Sequence, residues 1–359
     1  LKFFKHLNKE SIIFFSESRN YSNYFKNLVY LLTKINAKQV NFVTFDTSDN
    51  SFEDNKNVNK LLLKNKLLQI IFFQFVKCRF FILTMTNLNN SYLLKSKFCK
   101  EYIYIFHSMS SVHGIYEKDA LRHYDTICCN GEYHLNEIIK LEKLYGFQKK
   151  KLLKSGYPYF DFMEQKKREN KIPTDKKLIL IAPSWNENNQ SMLELYCDTI
   201  IEKLISHNYK VILRPHPEHF KRSHETIDQI KIKYKDKITI EEDIKSLNSL
   251  FMSNLLITDW SGIAFEYLFC LNKKVISIET PPKIMNKNYK LLDIELFEEK
   301  VKNFETVLVV KKDEIINISK IVNDFLNKEV VENKKNKNNE LIFNYGKSSE
   351  YIVNYILKN

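Results

Sequence analysis

Short apolar runs alternate with longer amphipathic segments along most of the 359-residue chain. The runs have the length of buried strands, and the segments between them repeat apolar residues at the spacing of a helix face. Strands separated by helices pair in parallel, because a parallel neighbour needs a crossover of a dozen residues or more. The pattern therefore predicts an α/β protein built on parallel sheets.

The alternation is interrupted once, by a polar stretch that contains Pro173. The length is also about twice that of a common domain, which supports a division into two. We predict a first Rossmann-like domain at residues 1–160, a linker at 161–177 and a second Rossmann-like domain at 178–345. A final helix at 346–359 is expected to pack back on either domain, including the first.

Individual elements follow from the same periodicity. The predicted strands are residues 11–15, 40–45, 80–84, 102–106, 126–129, 152–155, 178–181, 211–213, 238–240, 255–258 and 275–278. The predicted helices are residues 21–35, 66–75, 133–145, 191–207, 223–234, 246–252, 263–270 and 312–326. The run at 332–340, rich in Lys and Asn, is predicted to be a solvated loop.

The formal net charge of +13 points to an anionic partner. This partner could be a nucleic acid, an anionic lipid or a phosphorylated substrate. The alternative is that the charge reflects only the abundance of lysine in the sequence. Nucleic-acid binding predicts basic residues clustered with exposed aromatics on one face, whereas the lysines here are spread evenly, so no nucleic-acid partner is expected. Six cysteines without a CxxC pair fit buried thiols in a reducing compartment.

The sequence shows neither a signal peptide nor an apolar stretch of the roughly 18 to 20 residues that cross a membrane. The nearest candidate, residues 61–84, is interrupted by three lysines and an arginine. We therefore expect a cytoplasmic protein. Basic residues near 149–154 would hold it peripherally on the inner face of the cytoplasmic membrane, and a merely solvated basic face is the alternative.

The strongest local feature is a turn that reads Thr-Asp-Trp-Ser-Gly between a strand and a helix. Backbone N–H groups at a helix start, with a hydroxyl and a glycine beside them, make a phosphate site. An acidic residue one helical turn further on is placed to bind ribose hydroxyls. The donor-side candidates here are Thr258, Asp259, Ser261, Gly262 and Glu266. An ordinary helix capped by Ser261 or Asp259 is the alternative.

Two further strands end in polar turns. Arg214 and His216 follow one of them, and prolines on both sides of the histidine stiffen the loop. Both side chains can donate to the oxygens of a diphosphate. Ser184 and Trp185 follow the other strand, where Ser184 would reach a phosphate or a base. An unconstrained surface histidine and a core tryptophan are the alternatives.

In the first half, His107 comes directly after the strand at 102–106. A histidine at this edge of a sheet suits a general base, because its pKa is ordinarily near neutrality; a structural histidine is the alternative. Polar residues nearby and after the first strand would face the same edge. These acceptor-side candidates are Glu17, Arg19, Ser108, Ser110 and His113.

Taken in order, these segments resemble the CDP-glycerol glycerophosphotransferase family, the GT-B transferases of teichoic-acid and capsule polymers. The matching segments are His107, Gly156-Tyr-Pro-Tyr-Phe-Asp161, Ala182-Pro-Ser-Trp185, Arg214-Pro-His-Pro217, and Thr258 to Gly262 with Glu266. The family's first motif usually reads Trp-His-Gly-Thr followed by Lys, whereas this chain has His-Ser-Met-Ser. His113, which precedes Gly114, is therefore a second counterpart. The chain looks closer to divergent members from Gram-negative surface-polysaccharide loci.

The resemblance implies two Rossmann-like domains facing each other across a cleft. The sequence places no Asp-x-Asp metal motif after a strand, which favours metal-independent transfer, and no cofactor is expected. His107 would be the base and His216 would act on the donor phosphates together with Ser261 and Gly262. The expected donor is a CDP-activated polyol, and the expected acceptor is a hydroxyl of a surface polysaccharide or lipid-linked glycan. The alternatives are a GT-B glycosyltransferase that uses a CMP-, UDP- or GDP-linked sugar and, less favoured, a basic nucleic-acid-binding protein.

Overall fold

The computed structural model describes residues 7–89, 92–329 and 340–359. The chain forms two compact units. The described part of the first unit is residues 7–89, 92–164, 285–294 and 340–359, and that of the second is residues 165–284 and 295–329. The segment at 285–294 thus belongs to the first unit, although the chain before and after it belongs to the second. The predicted domain boundaries do not include this return to the first unit.

Each unit is built on one parallel sheet. The strands of the first are β1 Ile12–Ser16, β2 Val40–Thr44, β3 Val58–Leu62, β4 Cys78–Leu83, β5 Cys99–Ile105, β6 Thr126–Cys129 and β7 Lys151–Lys154. The strands of the second are β8 Asp175–Ile181, β9 Lys210–Leu213, β10 Thr239–Ile240, β11 Ser253–Thr258, β12 Lys274–Ile278 and β13 Val307–Val310. The orders are β3-β2-β1-β4-β5-β6-β7 and β10-β9-β8-β11-β12-β13.

Helices cover the sheets. They are α1 Lys26–Tyr30, α2 Lys66–Phe75, α3 Val112–Ile115, α4 Glu132–Tyr145, α5 Pro158–Asn170, α6 Met192–Leu195, α7 Cys197–Ser206, α8 His219–Arg222, α9 His224–Tyr234, α10 Asn248–Met252, α11 Ile263–Phe265, α12 Phe297–Lys302, α13 Ile318–Asn327 and α14 Ser348–Lys358. Short 3-10 segments are Ser22–Phe25, Lys235–Lys237, Tyr289–Leu292 and Lys312–Asn317, and π-turns are Leu31–Ile35 and Glu266–Cys270. Within the described residues, no helix is long and apolar enough to cross a membrane.

Strand order locates the edge of each sheet where ligands bind. The order reverses between β1 and β4 in the first sheet and between β8 and β11 in the second. In open parallel sheets, ligands bind beyond the carboxyl ends of the strands at such a reversal. The residues after β1, β8 and β11 are among those that the sequence singles out.

Two strands and four α-helices lie outside the elements that the sequence predicts; they are β3, β13, α3, α5, α8 and α12. The outer strand β3 is only partly buried and contains Lys60, so it does not show the apolar run of a central strand. The outer strand β13 is half exposed, although its four residues are all apolar. Most of the predicted linker at 161–177 is the larger part of α5 and the start of β8. The loop predicted at 332–340 lies outside the described residues except for its last residue.

The motif Gly156-Tyr-Pro-Tyr-Phe-Asp161 fastens the end of the chain to the first unit. Gly156 has a φ of +82°, and a Cβ there would stand 1.8 Å from the carbonyl oxygen of Phe343. The Ser349 N–H, in the first turn of α14, donates to the Asp161 carboxylate at 2.6 Å. Helix α14 then packs Ile352 and Ile356 into the core of the first unit. The glycine is needed both for its backbone conformation and for the close approach.

Candidate active site

In the second unit, loops after β8, β9 and β11 are tied together by buried side chains. Both carboxylate oxygens of Asp259 are occupied: one accepts from the Ser184 N–H at 2.6 Å and the other from the Met192 N–H at 3.0 Å. The Thr258 hydroxyl donates to the carbonyl of Ala182 at 2.6 Å. Burial raises the pKa of Asp259, and the hydrogen bonds from Met192 and Ser184 oppose that rise.

The prediction of direct contact with the donor does not match the positions of Thr258, Asp259 and Ser184. All three are buried, at 0%, 6% and 3% exposure. Asp259 and Thr258 hydrogen-bond to neighbouring loops of the protein, and the Ser184 backbone is one of the partners of Asp259. They hold in place the backbone on which other donor-side residues stand.

Arg214 is likewise turned into the protein. Its guanidinium is buried and forms an ion pair of 2.5 Å with Glu241. The same nitrogen donates to the Ser249 hydroxyl, and the second terminal nitrogen donates to the Ile244 carbonyl at 2.6 Å. Both terminal nitrogens of Arg214 thus bond to the segment between β10 and α10. Because they are already used within the protein, the structure does not support the predicted contact of Arg214 with phosphate. The residue pattern alone cannot show this, because Glu241 is 27 residues away.

His216 is half-buried after β9, and a second histidine holds its backbone. The His216 N–H donates to Nδ1 of His219 at 3.2 Å, while Nδ1 of His216 accepts from the Glu218 N–H at 3.1 Å. Nδ1 of the His216 ring is thus an acceptor, which puts the proton of the neutral ring on Nε2. Burial lowers the pKa of His219 to about 4, so His219 stays neutral at physiological pH.

The structure agrees in part with the prediction that the turn at 261–266 binds phosphate and ribose. Ser261 and Gly262 are half-buried, and α11 begins directly after them. Gly262 has a φ of −58°, so its backbone is ordinary helix and needs no left-handed glycine. Glu266 is half-buried and has no hydrogen-bond partner among the described residues. Burial raises its pKa to about 7, and the charge of Arg214 partly offsets this rise.

The structure adds a lysine that the sequence prediction lacks. Lys283, half-buried in the loop after β12, places its ammonium 4.9 Å from the centre of the Trp185 ring. Burial lowers the pKa of Lys283 to about 8, and the charges of Asp259, Glu298 and Glu218 act in the opposite direction. A lysine in a loop after a strand carries no sequence signal of its own, and only its position beside Trp185 identifies it.

Further positive charge lies beside Trp185, and a pocket lies beside Ser261. The guanidinium of Arg222 also lies 4.9 Å from the centre of the Trp185 ring, and the His216 ring is 6.0 Å from it. A solvent-open pocket of about 380 Å³ is lined by Ser261, Trp260 and Lys302, among others. Lys302 stands 3.8 Å above the Trp260 ring. Imidazole, ammonium and hydroxyl donors thus follow strands of one sheet, an arrangement that suits a diphosphate.

In the first unit, His107 follows β5 and is half-buried among tyrosines. The centres of the Tyr21, Tyr116 and Tyr24 rings lie 5.3, 6.2 and 6.3 Å from the centre of its ring. Tyr21 and Tyr24 come from the chain that follows β1, so the ends of two strands meet here. An aromatic surround restricts the imidazole to a narrow range of orientations.

Side chains from the β6–α4 region hold the loop that carries His107. The Asn130 amide donates to the Ser108 carbonyl at 3.2 Å, and the Tyr133 hydroxyl donates to the Met109 carbonyl at 2.7 Å. Nε2 of His134 bonds the Ser110 carbonyl at 3.0 Å. Burial lowers the pKa of His134 to about 3, so this histidine is neutral. The sequence prediction does not include these three supports.

His113 is a structural residue, and its prediction as an acceptor-side residue or counterpart of the base is not supported. Its ring is fully buried, with Nδ1 3.1 Å from the Glu137 carboxylate and Nε2 3.2 Å from the Ile294 carbonyl. The Glu137 carboxylate also accepts from the His113 N–H at 3.1 Å. A ring enclosed in this way cannot reach an acceptor hydroxyl.

The other acceptor-side candidates differ in accessibility. The hydroxyls of Ser108 and Ser110 lie 2.8 Å apart and form part of their own turn, and Ser110 is buried. Arg19 is exposed, and its N–H donates to Asp46 at 2.8 Å. Glu17 follows β1, and burial of its carboxyl raises its pKa to about 7, although much of the residue is exposed. Glu17 and Arg19 thus remain open to a substrate.

The sequence model of one family matches nearly the whole chain. It covers residues 1–358 and is described as CDP-Glycerol:Poly(glycerophosphate) glycerophosphotransferase. Curated relatives include a teichoic acid poly(glycerol phosphate) polymerase of Bacillus spizizenii, 29% identical over 136 residues, and a teichoic acid glycerol-phosphate transferase of Staphylococcus aureus, 26% identical over 142 residues. These matches cover 33% and 35% of the chain, and the same shares of the two relatives, so the chain spans about a third of their length.

Solved structures share the fold. The wall teichoic acid polymerase TagF is similar with a TM-score of 0.64 at 14% identity, over 99% of this chain and 90% of that one. The UDP-GlcNAc 2-epimerase of Neisseria meningitidis is similar with a TM-score of 0.63 at 14% identity, over 97% of this chain and 99% of that one. The predicted α/β GT-B fold and the family resemblance are both confirmed.

Proposed function

Because the chain belongs to the CDP-glycerol:poly(glycerophosphate) glycerophosphotransferase family, we propose that it transfers glycerol phosphate from CDP-glycerol to a hydroxyl of a polymer acceptor. The acceptor oxygen attacks the phosphorus that carries the glycerol. The bond from that phosphorus to the CMP oxygen breaks, and CMP leaves. The hydroxyl proton passes to a base on the enzyme.

The donor assignment rests on the positions of His216, Ser261 and Lys283, which all follow strands of the second sheet, with His216 and Lys283 both beside the Trp185 ring. Nε2–H of neutral His216 donates to a phosphate oxygen, and the Lys283 ammonium supplies positive charge. Glu266, without a partner among the described residues, accepts from the ribose hydroxyls. Arg222 adds charge at the Trp185 ring. Fixed donors of this kind stabilise the charge that develops on a transferring phosphoryl group.

On the acceptor side, we assign the base to His107, which the surrounding tyrosines orient. Glu17 is the second candidate, because a carboxyl with a pKa of about 7 can also take a proton near neutrality. The similarity to a teichoic acid polymerase and a teichoic acid glycerol-phosphate transferase supports a surface polymer as acceptor, and we extend this proposal to a lipid-linked glycan. A lipid-linked acceptor in turn supports a peripheral position at the membrane.

The test is product analysis with the purified chain, a glycerol phosphate oligomer as acceptor, and CDP-glycerol with the glycerol labelled. We expect CMP release together with transfer of label to the oligomer. A parallel incubation supplies CMP-, UDP- and GDP-linked sugars. Sugar transfer from one of these, with no label transfer from CDP-glycerol, would replace this function by glycosyl transfer.

A further inference from the structure

His219 is a buried histidine that holds the backbone of His216 from both sides. It is the first residue of α8. Its N–H donates to the His216 carbonyl at 2.8 Å, and Nδ1 of its ring accepts from the His216 N–H at 3.2 Å. Both polar groups of the His216 backbone are therefore bound by one residue. A rotation of the backbone at residue 216 would break at least one of these bonds.

The sequence beside His216 makes the bond to the ring more important. Both neighbours of His216 are prolines, which have no backbone N–H. The His216 N–H is therefore the only main-chain donor of residues 215–217. The next donor, the Glu218 N–H, is used to orient the His216 ring, because it donates to Nδ1 of that ring at 3.1 Å. The path of this loop thus depends on one main-chain donor, and the His219 ring is its acceptor.

The other nitrogen of the His219 ring is tied to α6. Because Nδ1 accepts, the proton of the neutral ring is on Nε2, which lies 3.1 Å from the Ser191 hydroxyl oxygen. The Ser191 hydroxyl in turn donates to the Glu194 carboxylate at 2.5 Å, and the Ser223 hydroxyl donates to the same carboxylate at 2.6 Å. Hydrogen bonds thus run from a carboxylate through a hydroxyl to the imidazole. Buried networks in which the donors have acceptors are rigid.

This network also reaches the turn that carries Ser261. Ser191 caps α6, and the N–H of the next residue, Met192, donates to the Asp259 carboxylate at 3.0 Å. Asp259 precedes Ser261 by two residues. His219 thus connects the loop after β9 with the turn after β11, the two segments that supply an imidazole and a hydroxyl to the candidate donor site.

We propose that His219, held by Ser191 and Glu194, is a positioning residue for the donor phosphates. Its buried ring does not itself contact the diphosphate. It holds Nε2–H of His216 in place relative to the turn of Ser261, so that both can donate to one diphosphate. Donors that are in place before the ligand arrives need no reorganisation, which increases affinity. The inference rests on the proposed function, which places the donor phosphates beside His216.

Two amide substitutions separate the two bonds of the His219 ring. In His219→Asn the amide oxygen takes the place of Nδ1 and still accepts from the His216 N–H. In His219→Gln the amide takes the place of Nε2, so the bond with Ser191 is kept and the acceptor for His216 is lost. Isothermal titration calorimetry should show CDP-glycerol affinity within about threefold of the parent for His219→Asn, and about tenfold or more lower for His219→Gln. Equal affinities in the two variants, or the reverse order, would overturn the proposal.

Tyr234→Phe is the control for a purely structural effect. The buried Tyr234 hydroxyl donates to the Asp198 carbonyl at 2.8 Å, which joins α9 to α7 in the same unit. This variant should lower the unfolding temperature and leave CDP-glycerol affinity unchanged. If it weakens binding as much as His219→Gln does, affinity follows the stability of the unit and His219 has no positioning role.

The tautomer of His219 is measured on the parent, so this test does not depend on whether a variant folds. Proton–nitrogen correlation spectra of the imidazole should show a proton on Nε2 and none on Nδ1 at neutral pH. A proton on Nδ1 would contradict the proposal, because that nitrogen could not accept from His216.

Failure of the proposed function has a different signature. The parent would then bind UDP or GDP instead of CDP-glycerol, and His219→Asn and His219→Gln would be compared with that nucleotide. A tighter complex in His219→Asn would still support the positioning role. A parent that binds no nucleoside diphosphate would contradict both the function and the positioning role.

Discussion

The ammonium of Lys283 lies 4.9 Å from the centre of the Trp185 ring, which brings the loops after β12 and β8 together. The pKa of Lys283 is lowered to about 8 by burial, although the charges of three carboxylates act to raise it. The ammonium is thus partly withdrawn from water before any ligand arrives. A diphosphate placed beside it would restore an anionic partner to a desolvated cation, which is the main reason to assign Lys283 to the donor.

Lys283→Gln should therefore weaken CDP-glycerol binding by about 10- to 100-fold, as loss of a hydrogen bond to a charged group costs roughly 1.5–3 kcal/mol. Isothermal titration calorimetry gives the affinity. Lys221→Gln is the control, because it removes the same charge from an exposed lysine that pairs with Glu218 at 2.7 Å. Equal affinities in the parent and Lys283→Gln would remove this lysine from the donor site.

The pH dependence of donor binding should have two limits. The diphosphate of CDP-glycerol does not titrate near neutrality, so any change reports the protein. Affinity should fall as pH rises through about 8, because the free Lys283 ammonium loses its proton there. It should also fall as pH drops through about 7, because Glu266 takes up a proton and can no longer accept from both ribose hydroxyls.

Two variants separate these limits. Lys283→Arg keeps its charge at every pH used, so the fall above pH 8 should disappear. Glu266→Gln cannot titrate, so the fall below pH 7 should disappear while affinity at pH 8 is reduced. A parent profile that is flat between pH 6 and 9 would contradict both assignments.

The sequence predicts the architecture well, because central strands are apolar runs bounded by turns. It predicts the donor site less well, for a physical reason. Arg214 and Asp259 have the residue types of a phosphate site, but their partners Glu241 and Met192 are distant in the sequence. Lys283 is missed for the opposite reason, since nothing local distinguishes it from other lysines. The position after a strand is visible in sequence, whereas the direction of a side chain depends on tertiary contacts.

Gly156→Ala should destabilise the first unit by roughly 3 kcal/mol, since its Cβ would overlap the Phe343 carbonyl and its φ is +82°. Gly146→Ala is the matched control, because Gly146 also has a positive φ, +64°, but nothing lies within 4 Å of its Cβ position. We expect that control to lose only about 1–2 kcal/mol. Urea unfolding of both variants measures the difference, and equal losses would show that the close approach at residue 343 does not matter.

The base is identified by separating turnover from binding. His107→Ala should lower kcat by about 10²- to 10⁴-fold, the usual contribution of a general base, and leave CDP-glycerol affinity unchanged. His216→Ala and Ser261→Ala should instead weaken CDP-glycerol binding. Glu17→Gln is the direct competitor of His107: if it abolishes turnover while His107→Ala retains it, the base is the carboxyl. His113→Gln should reduce stability through the Glu137 contact, with a smaller effect on kcat per folded molecule than His107→Ala.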